Sequence, residues 1–336
     1  MKKNIFIIVI GLIVIVLGAV LCKRSTAYTA NTENLLTAGD NQSENSKRIV
    51  KEYPELGISI DAACPEFEEK DIPCISAHAS QEYYNNMVQN FFLKRFPEAQ
   101  KTGDNEWTAA DAEGTLLGSM ILSDSNRLNF LDTTLDVNGN LSEYANKYLY
   151  FTDTALCYPD GAPYTADTAI EDTIQALTDY TDFELIPCSA YAEQDSETEQ
   201  AWYRIDIQLS YNGIPCCIYS EIPGMTGLDV GISYSGIGHM QGVFTFDHVS
   251  ETKMILAMAF DDILNSFESQ IRLLQLPGTN KLEIYHIQLE YYGETGTSPD
   301  EYSFRPVWTF YGIADDIFPY LLKLYADTGN LCSQGA

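Results

Sequence analysis

Apolar side chains recur at every second position over much of this chain and at helical spacing in three places. Phe304, Pro306, Trp308 and Phe310 point one way along a strand, and Arg305, Val307, Thr309 and Tyr311 point the other. Both sets carry bulky groups, so the spacing predicts a strand covered on both faces. Residues 320–326 are a second apolar run, and Asp327-Thr328-Gly329-Asn330 predicts the turn that ends it. Tyr203, Ile205, Ile207 and Leu209 alternate with Arg204, Asp206 and Gln208. Asn212-Gly213 then separates them from an apolar run at 214–219. Both residues of that pair tolerate positive φ, which predicts a two-residue hairpin. Further strands are expected at 148–158, 228–234, 243–249 and 285–291, with Gly236-Ile237-Gly238 as a turn. A hairpin is expected over 115–122 and 127–137.

The helical patterns stand apart. Ser80 is placed to cap a helix running to Arg95, with Tyr84, Met87, Val88, Phe91 and Phe92 on its apolar stripe. Thr168 and Glu171 read as a capping box, ahead of a stripe made of Ile170, Ile174 and Leu177. A third helix is expected over 257–273, with Phe260, Ile263, Leu264, Phe267 and Ile271 on one face. Each helix is followed by a run of strands, and this unit recurs. The expected fold class is therefore α+β, a repeated helix plus antiparallel strand meander, with an N-terminal membrane-anchor helix.

That anchor is read from the apolar run Ile5 to Leu21, flanked by Lys2-Lys3 and Lys23-Arg24. At 1.5 Å per residue it covers roughly 26 Å, close to a hydrocarbon core. A signal anchor is favoured over a cleaved signal peptide, and over a lipoprotein leader ending at Cys22, because Leu21 stands where a small residue is wanted. In each case the bulk of the chain lies outside the cytoplasm. The expected divisions are 1–27 as leader, 28–50 as a polar tether, 51–160 as an N-terminal α+β domain and 165–333 as a second one.

A net charge of −29, from 48 acidic and 19 basic residues, repels phosphate backbones, so no nucleic-acid partner is expected. Seven of the eight cysteines lie beyond the apolar run and would be in an oxidising compartment, where Cys64 and Cys74, in a short loop braced by Pro65 and Pro73, are the first candidate pair. Cys216 and Cys217 are adjacent in a strand, so they face opposite sides.

Two stretches carry a resemblance. Strand 203–209 followed by Tyr211-Asn212-Gly213-Ile214-Pro215 is similar to the strand, polar-Gly-Ile-Pro, strand of PepSY-like modules. Phe304-Arg305-Pro306-Val307-Trp308 followed by Leu324 to Asn330 resembles their Pro-Val-Trp strand and closing turn. With the leader, the arrangement over roughly 165–331 resembles extracytoplasmic regulators of the YycH/YycI type and uncharacterised clostridial lipoproteins. The resemblance implies a fold and a compartment and carries over no catalytic residue.

Reactive motifs fare poorly. Asp327-Thr328-Gly329 reads like an aspartic-protease loop, but that chemistry needs a second such loop, and a turn explains it. Asp136-Val137-Asn138-Gly139-Asn140 begins like a calcium loop but places Leu141 and Lys147 where Gly and Glu are required. His78, His239, His248 and His286 lack metal-ligand spacing; only His239 and His248 could meet, across a hairpin. Asp261-Asp262 reads as favourable charge at a helix N-terminus. Tyr285, Tyr291, Tyr292, Tyr302 and Tyr311 are read as core rather than as an exposed binding face. No catalytic, cofactor-binding or metal-ligating residue is assigned. The function expected is that of a non-enzymatic, membrane-tethered extracytoplasmic binding protein, an envelope regulator or sensor contacting a membrane or envelope protein. The alternatives are a secreted solute-binding or adhesion module and a secreted hydrolase with an acidic cleft.

Overall fold

The computed structural model describes residues 46–65, 67–135, 137, 149–151, 156–195, 200–218, 227–274, 281–316 and 318–335. The expected anchor at 5–21, most of the tether and all but Val137 of the candidate calcium loop lie outside them. Among the described residues no helix is long and apolar enough to cross a membrane.

Strand pairing is already present at residues expected to belong to the tether. β1 (Ser46–Tyr53) pairs antiparallel with β2 (Ile58–Pro65) around a short turn closed by Gly57 at φ 66°. β3 (Lys70–Ala79) leads into α1 (Gln81–Met87), where the Ser80 hydroxyl accepts the Tyr83 N–H at 3.1 Å. The helix continues through a π-helical stretch, Val88–Phe92, and a last turn, Leu93–Arg95. β4 (Gln100–Gly103), β5 (Glu106–Ala110), β6 (Leu116–Leu122) and β7 (Leu128–Asp132) follow as an antiparallel meander. β8 (Leu149–Phe151) and the small pair β9 (Leu156–Cys157) and β10 (Pro163–Tyr164) precede α2 (Ala166–Leu177).

Then come β11 (Glu184–Asp195), β12 (Ala201–Tyr211), β13 (Ile214–Ile218), β14 (Leu228–Ser233), β15 (Gly236–Gly242) and β16 (Phe246–Ala257). The chain ends with α3 (Phe260–Leu274), β17 (Leu282–Thr295), β18 (Glu301–Ala314), β19 (Phe318–Tyr325) and β20 (Leu331–Gly335). Asn212 and Gly213, at φ 51° and 73°, make the expected two-residue turn between β12 and β13.

The α+β expectation, a helix-backed antiparallel meander repeated along the chain, is overturned. Among the described residues strands dominate, the helices are three and short, and every strand but the β9–β10 pair joins one mixed sheet of 18. The reason lies in β17, which has 14 residues of edge on each side. β18 covers one edge along its length. The other is shared by two shorter strands, β2 near Leu282–His286 and β13 at Tyr291–Gly293, and both run parallel to it. Parallel neighbours need no local turn, so alternation along the sequence does not announce them. β13 also pairs with β12, and so welds a wing of β8, β11, β12, β14, β15, β7, β6, β5 and β4 onto the β17–β18 centre. Asn45–Ala336 form one compact unit.

The helices seal one face of this sheet. Trp308 sits between Leu289 of β17 and Leu324 of β19 and is fully buried. Phe260 of α3 meets its ring at 5.1 Å, and Phe267 stacks on Phe310 at 4.3 Å. All five residues of the expected α3 stripe are buried. α1 lays Phe91 and Phe92 against Phe130 of β7. In α2 the cap is Thr165 rather than Thr168: its hydroxyl accepts the Thr168 N–H at 3.2 Å. Pro163 and the extended Thr165 bring the chain in one turn earlier, and the buried stripe rotates to Ala169, Thr173 and Leu177. β16, the outer neighbour of β3, departs from regular register twice against it.

Candidate functional site

Two groups of ionisable side chains lie off the helix-covered face. The first is sealed. Glu290 of β17 is fully buried and accepts from Lys323 Nζ of β19 at 2.8 Å, from Thr309 Oγ1 of β18 at 2.7 Å and from the Tyr311 hydroxyl. Lys323 also donates to Thr309 at 3.2 Å. Burial alone would raise the Glu290 carboxyl, but the Lys323 ammonium beside it holds it below the usual range. Burial would lower Lys323, yet Glu290 holds it well above its ordinary value. Every partner here is a neighbouring strand residue, so the group braces the registers of β17, β18 and β19. It offers no access to a reactant.

The second group lies on the wing, on the face away from α2. Arg204 and Asp206 project from β12, Asp229 from β14, and Ser189, Tyr191 and Glu193 from β11. Register brings them together: Asp206 pairs with Asp229, Arg204 with Tyr191, and Gly231 with both Arg204 and His239 of β15. Arg204 donates Nε to Asp229 Oδ1 at 2.8 Å and Nη2 to its Oδ2, and its Nη1 reaches Glu193 Oε1 at 3.4 Å. Ser189 donates to Asp206 Oδ2. Two carboxyls thus share one guanidinium, and a third, Asp206, stands beside Asp229 in register.

The electrostatics follow from that shortage. Burial, then the Asp229 charge, push the Asp206 carboxyl up to about 7. Burial also raises Glu193, against the pull of Arg204. Glu193 is 6% exposed, and no donor meets its Oε2 in hydrogen-bond geometry, although the Trp202 indole lies near enough to favour the charged form. Burial keeps His239 neutral by lowering it, with Asp229 opposing. Above the strands, Val137 is seated over Gly231 and Gly238: a Cβ at Gly238 would stand 2.5 Å from that of Val137. The glycines let the chain cross this face closely.

Cys188 is the extra residue of a β-bulge between Pro187 and Ser189 of β11, which turns its thiol toward Gln208 Oε1 at 3.3 Å. Burial pushes that thiol up to about 12, so it is a poor nucleophile near neutrality. A bond between Cys64 and Cys74 is not formed. Cys64 lies on β2, between β1 and β17, while Cys74 lies on β3, between β16 and β18. Cys216 and Cys217 are both buried on adjacent, opposed positions.

The residues singled out from sequence are scattered. His248, at φ 53°, meets His78 at 6.2 Å between ring centroids, not His239, because β16 pairs with β3 rather than with β15. Among the described residues no group of three or more His, Cys, Asp or Glu is arranged to hold a metal ion. Asp327 forms an ion pair with Arg305 at 2.8 Å in the turn beyond β19. Tyr291, Tyr302 and Tyr311 are core, while Tyr285 and Tyr292 are half-buried. Glu193, Asp206 and Asp229 were missed as a group. Their only sequence signal is an acid inside an otherwise apolar strand pattern, as at Asp206 and Asp229.

No family model matches the chain, and no curated protein matches it. A solved structure does: an uncharacterised protein from Eubacterium rectale, 15% identical, with a TM-score of 0.59, covering 90% of this chain and 98% of that one. The likeness is one of fold.

Proposed function

We propose that this chain is a non-enzymatic binding protein of the cell envelope, tethered by residues 5–21 with its bulk outside the cytoplasm, and that it contacts a protein partner through the carboxyl-rich face of the wing. One observation carries this reading: Glu193 and Asp229 share Arg204, and Asp206 stands beside Asp229 on the next strand, with Asp229 and Arg204 partly open to solvent. A surplus of negative charge held on a preformed surface favours recognition of a positively charged counterpart. The leader read from the sequence supports the compartment. The likeness to PepSY-like modules supports no more than that, since the fold it implies does not occur.

The test is in-cell crosslinking of the full chain, with a photoreactive residue at Tyr191. Capture of a membrane or envelope protein supports the reading, and capture of wall glycan alone ends it.

A second reading rests on a specific observation of its own. A carboxyl raised to about 7 beside a second carboxyl is the pattern of an acid–base pair. Asp206 as proton donor and Asp229 as base would suit a hydrolase with an acidic cleft. Turnover of a glycoside or peptide library that disappears in both Asp206→Asn and Asp229→Asn would select it.

A further inference from the structure

We infer that the outer edge of β1 is a self-association surface, where a second copy of this chain adds its own β1 antiparallel about a two-fold axis at Val50. β1 is no part of the wing, so this contact is independent of the partner proposed above. Among the described residues β1 pairs with β2 alone, in an unbroken register from Ser46 opposite Pro65 to Tyr53 opposite Ile58. Its other edge presents a row of backbone N–H and C=O groups to whatever lies alongside. β16 also has an outer edge, but its ladder breaks twice against β3, whereas the β1 ladder has no break. A regular edge is the one that a further strand can follow.

The side chains select a copy of the same strand. Arg48, Val50 and Glu52 share one face and are exposed, Val50 at 68%. Ile49 and Lys51 turn to the other face, where Lys51 reaches Glu268 of α3 at 3.9 Å. With the axis at Val50, the two valines meet each other and Arg48 of each copy faces Glu52 of the other. Opposite charges directly across an antiparallel pair stabilise it, and like charges oppose it. Moving the axis by one residue sets like charges together: Lys47 against Lys51 about Ile49, or Lys51 against itself about Lys51. The two-fold axis repeats each contact, so one complementary pair becomes two. β1 also carries Lys47, Arg48 and Lys51 against Glu52 alone, in a chain of net charge −29. Two acidic molecules therefore meet here with less repulsion than their net charge implies. Backbone hydrogen bonds supply the affinity, and the charges set the register.

The experiment is sedimentation velocity of the full chain in detergent over a concentration series, with disulfide trapping beside it. The chain is expected to pass from monomer to dimer as concentration rises. Glu52→Arg sets two cations face to face and is expected to weaken the dimer at least tenfold at low salt, with the melting temperature of the monomer unchanged. Mixing that variant with Arg48→Glu is expected to restore a dimer of one copy of each, because every facing pair is then of opposite charge. On oxidation, Val50→Cys is expected to join two copies through position 50, since facing Cα atoms in such a pair lie about 5 Å apart. Glu52→Cys is expected not to join to itself, because the two positions lie four residues, or about 14 Å, apart along the strands. A chain that stays monomeric at every concentration overturns the inference. So does a dimer that Glu52→Arg leaves unweakened, or a Glu52→Cys chain that crosslinks as readily as Val50→Cys.

Discussion

The Glu290 network and the Glu193–Asp206–Asp229 face are built from the same materials, acids and a cation on neighbouring strands, yet they end in opposite states. Around Glu290 each acid oxygen has its donor, and one ammonium neutralises one carboxylate. Around Arg204 two carboxyls share one guanidinium with a third alongside, and Glu193 Oε2 has no donor in hydrogen-bond geometry. The first arrangement stabilises a register; the second leaves more carboxyls than cations on one face. Burial alone does not separate them, since Glu193 is nearly as buried as Glu290. Stoichiometry of donors does.

That contrast can be broken from either end. The largest effect should come from Lys323→Met, which leaves Glu290 buried and unpaired; a loss of about 3–5 kcal/mol is expected, read from the denaturant midpoint. Adding Glu290→Gln to that variant should restore much of the loss, because the pair's value lies in mutual compensation.

Asp206 should respond to pH in the opposite sense to a paired acid. Its folded value near 7 lies above the ordinary 3.8, so the folded chain holds a proton that the unfolded chain releases. Stability is then fully present below about pH 4 and falls as pH rises toward 7. Asp206→Asn should remove about 2 kcal/mol of that decline between pH 5 and pH 8, visible as a flatter melting temperature against pH. A slope unchanged by the substitution would show that Asp206 is ionised in the folded state.

Gly238→Ala should push Val137 off the wing face, at a cost of about 1–2 kcal/mol. It should also raise the accessibility of Tyr191, measured by iodination. The smallest change belongs to Glu193→Gln, and its sign is the informative part. Burial already disfavours the charged Glu193 carboxyl, so the change should leave stability unchanged or raise it by about 1 kcal/mol, whereas the equivalent change at Glu290 lowers it.

Much of the local architecture was legible from residue order. The alternation at Phe304–Phe310, the Asn212-Gly213 turn and the α3 stripe all rest on short-range geometry, and each appears in place. The mixed sheet was not legible, since the parallel contacts of β2 and β13 with β17 join residues far apart in the chain. Thr165 was passed over as a cap because Thr168-x-x-Glu171 satisfies the same local rule. The wing site was hidden for a further reason. Its three acids come from β11, β12 and β14, and Cys188 as a bulge resets which β11 side chains share their face. No spacing rule along one strand predicts a register across three.

The irregular course of β16 beside β3 has a consequence for how copies of this chain meet one another. Two breaks in its ladder, with Glu251 and Lys253 exposed along it, deny a straight template to any extended chain that drifts alongside. A molecule so rich in strands is thereby guarded at this border against stacking into fibrils with its own copies.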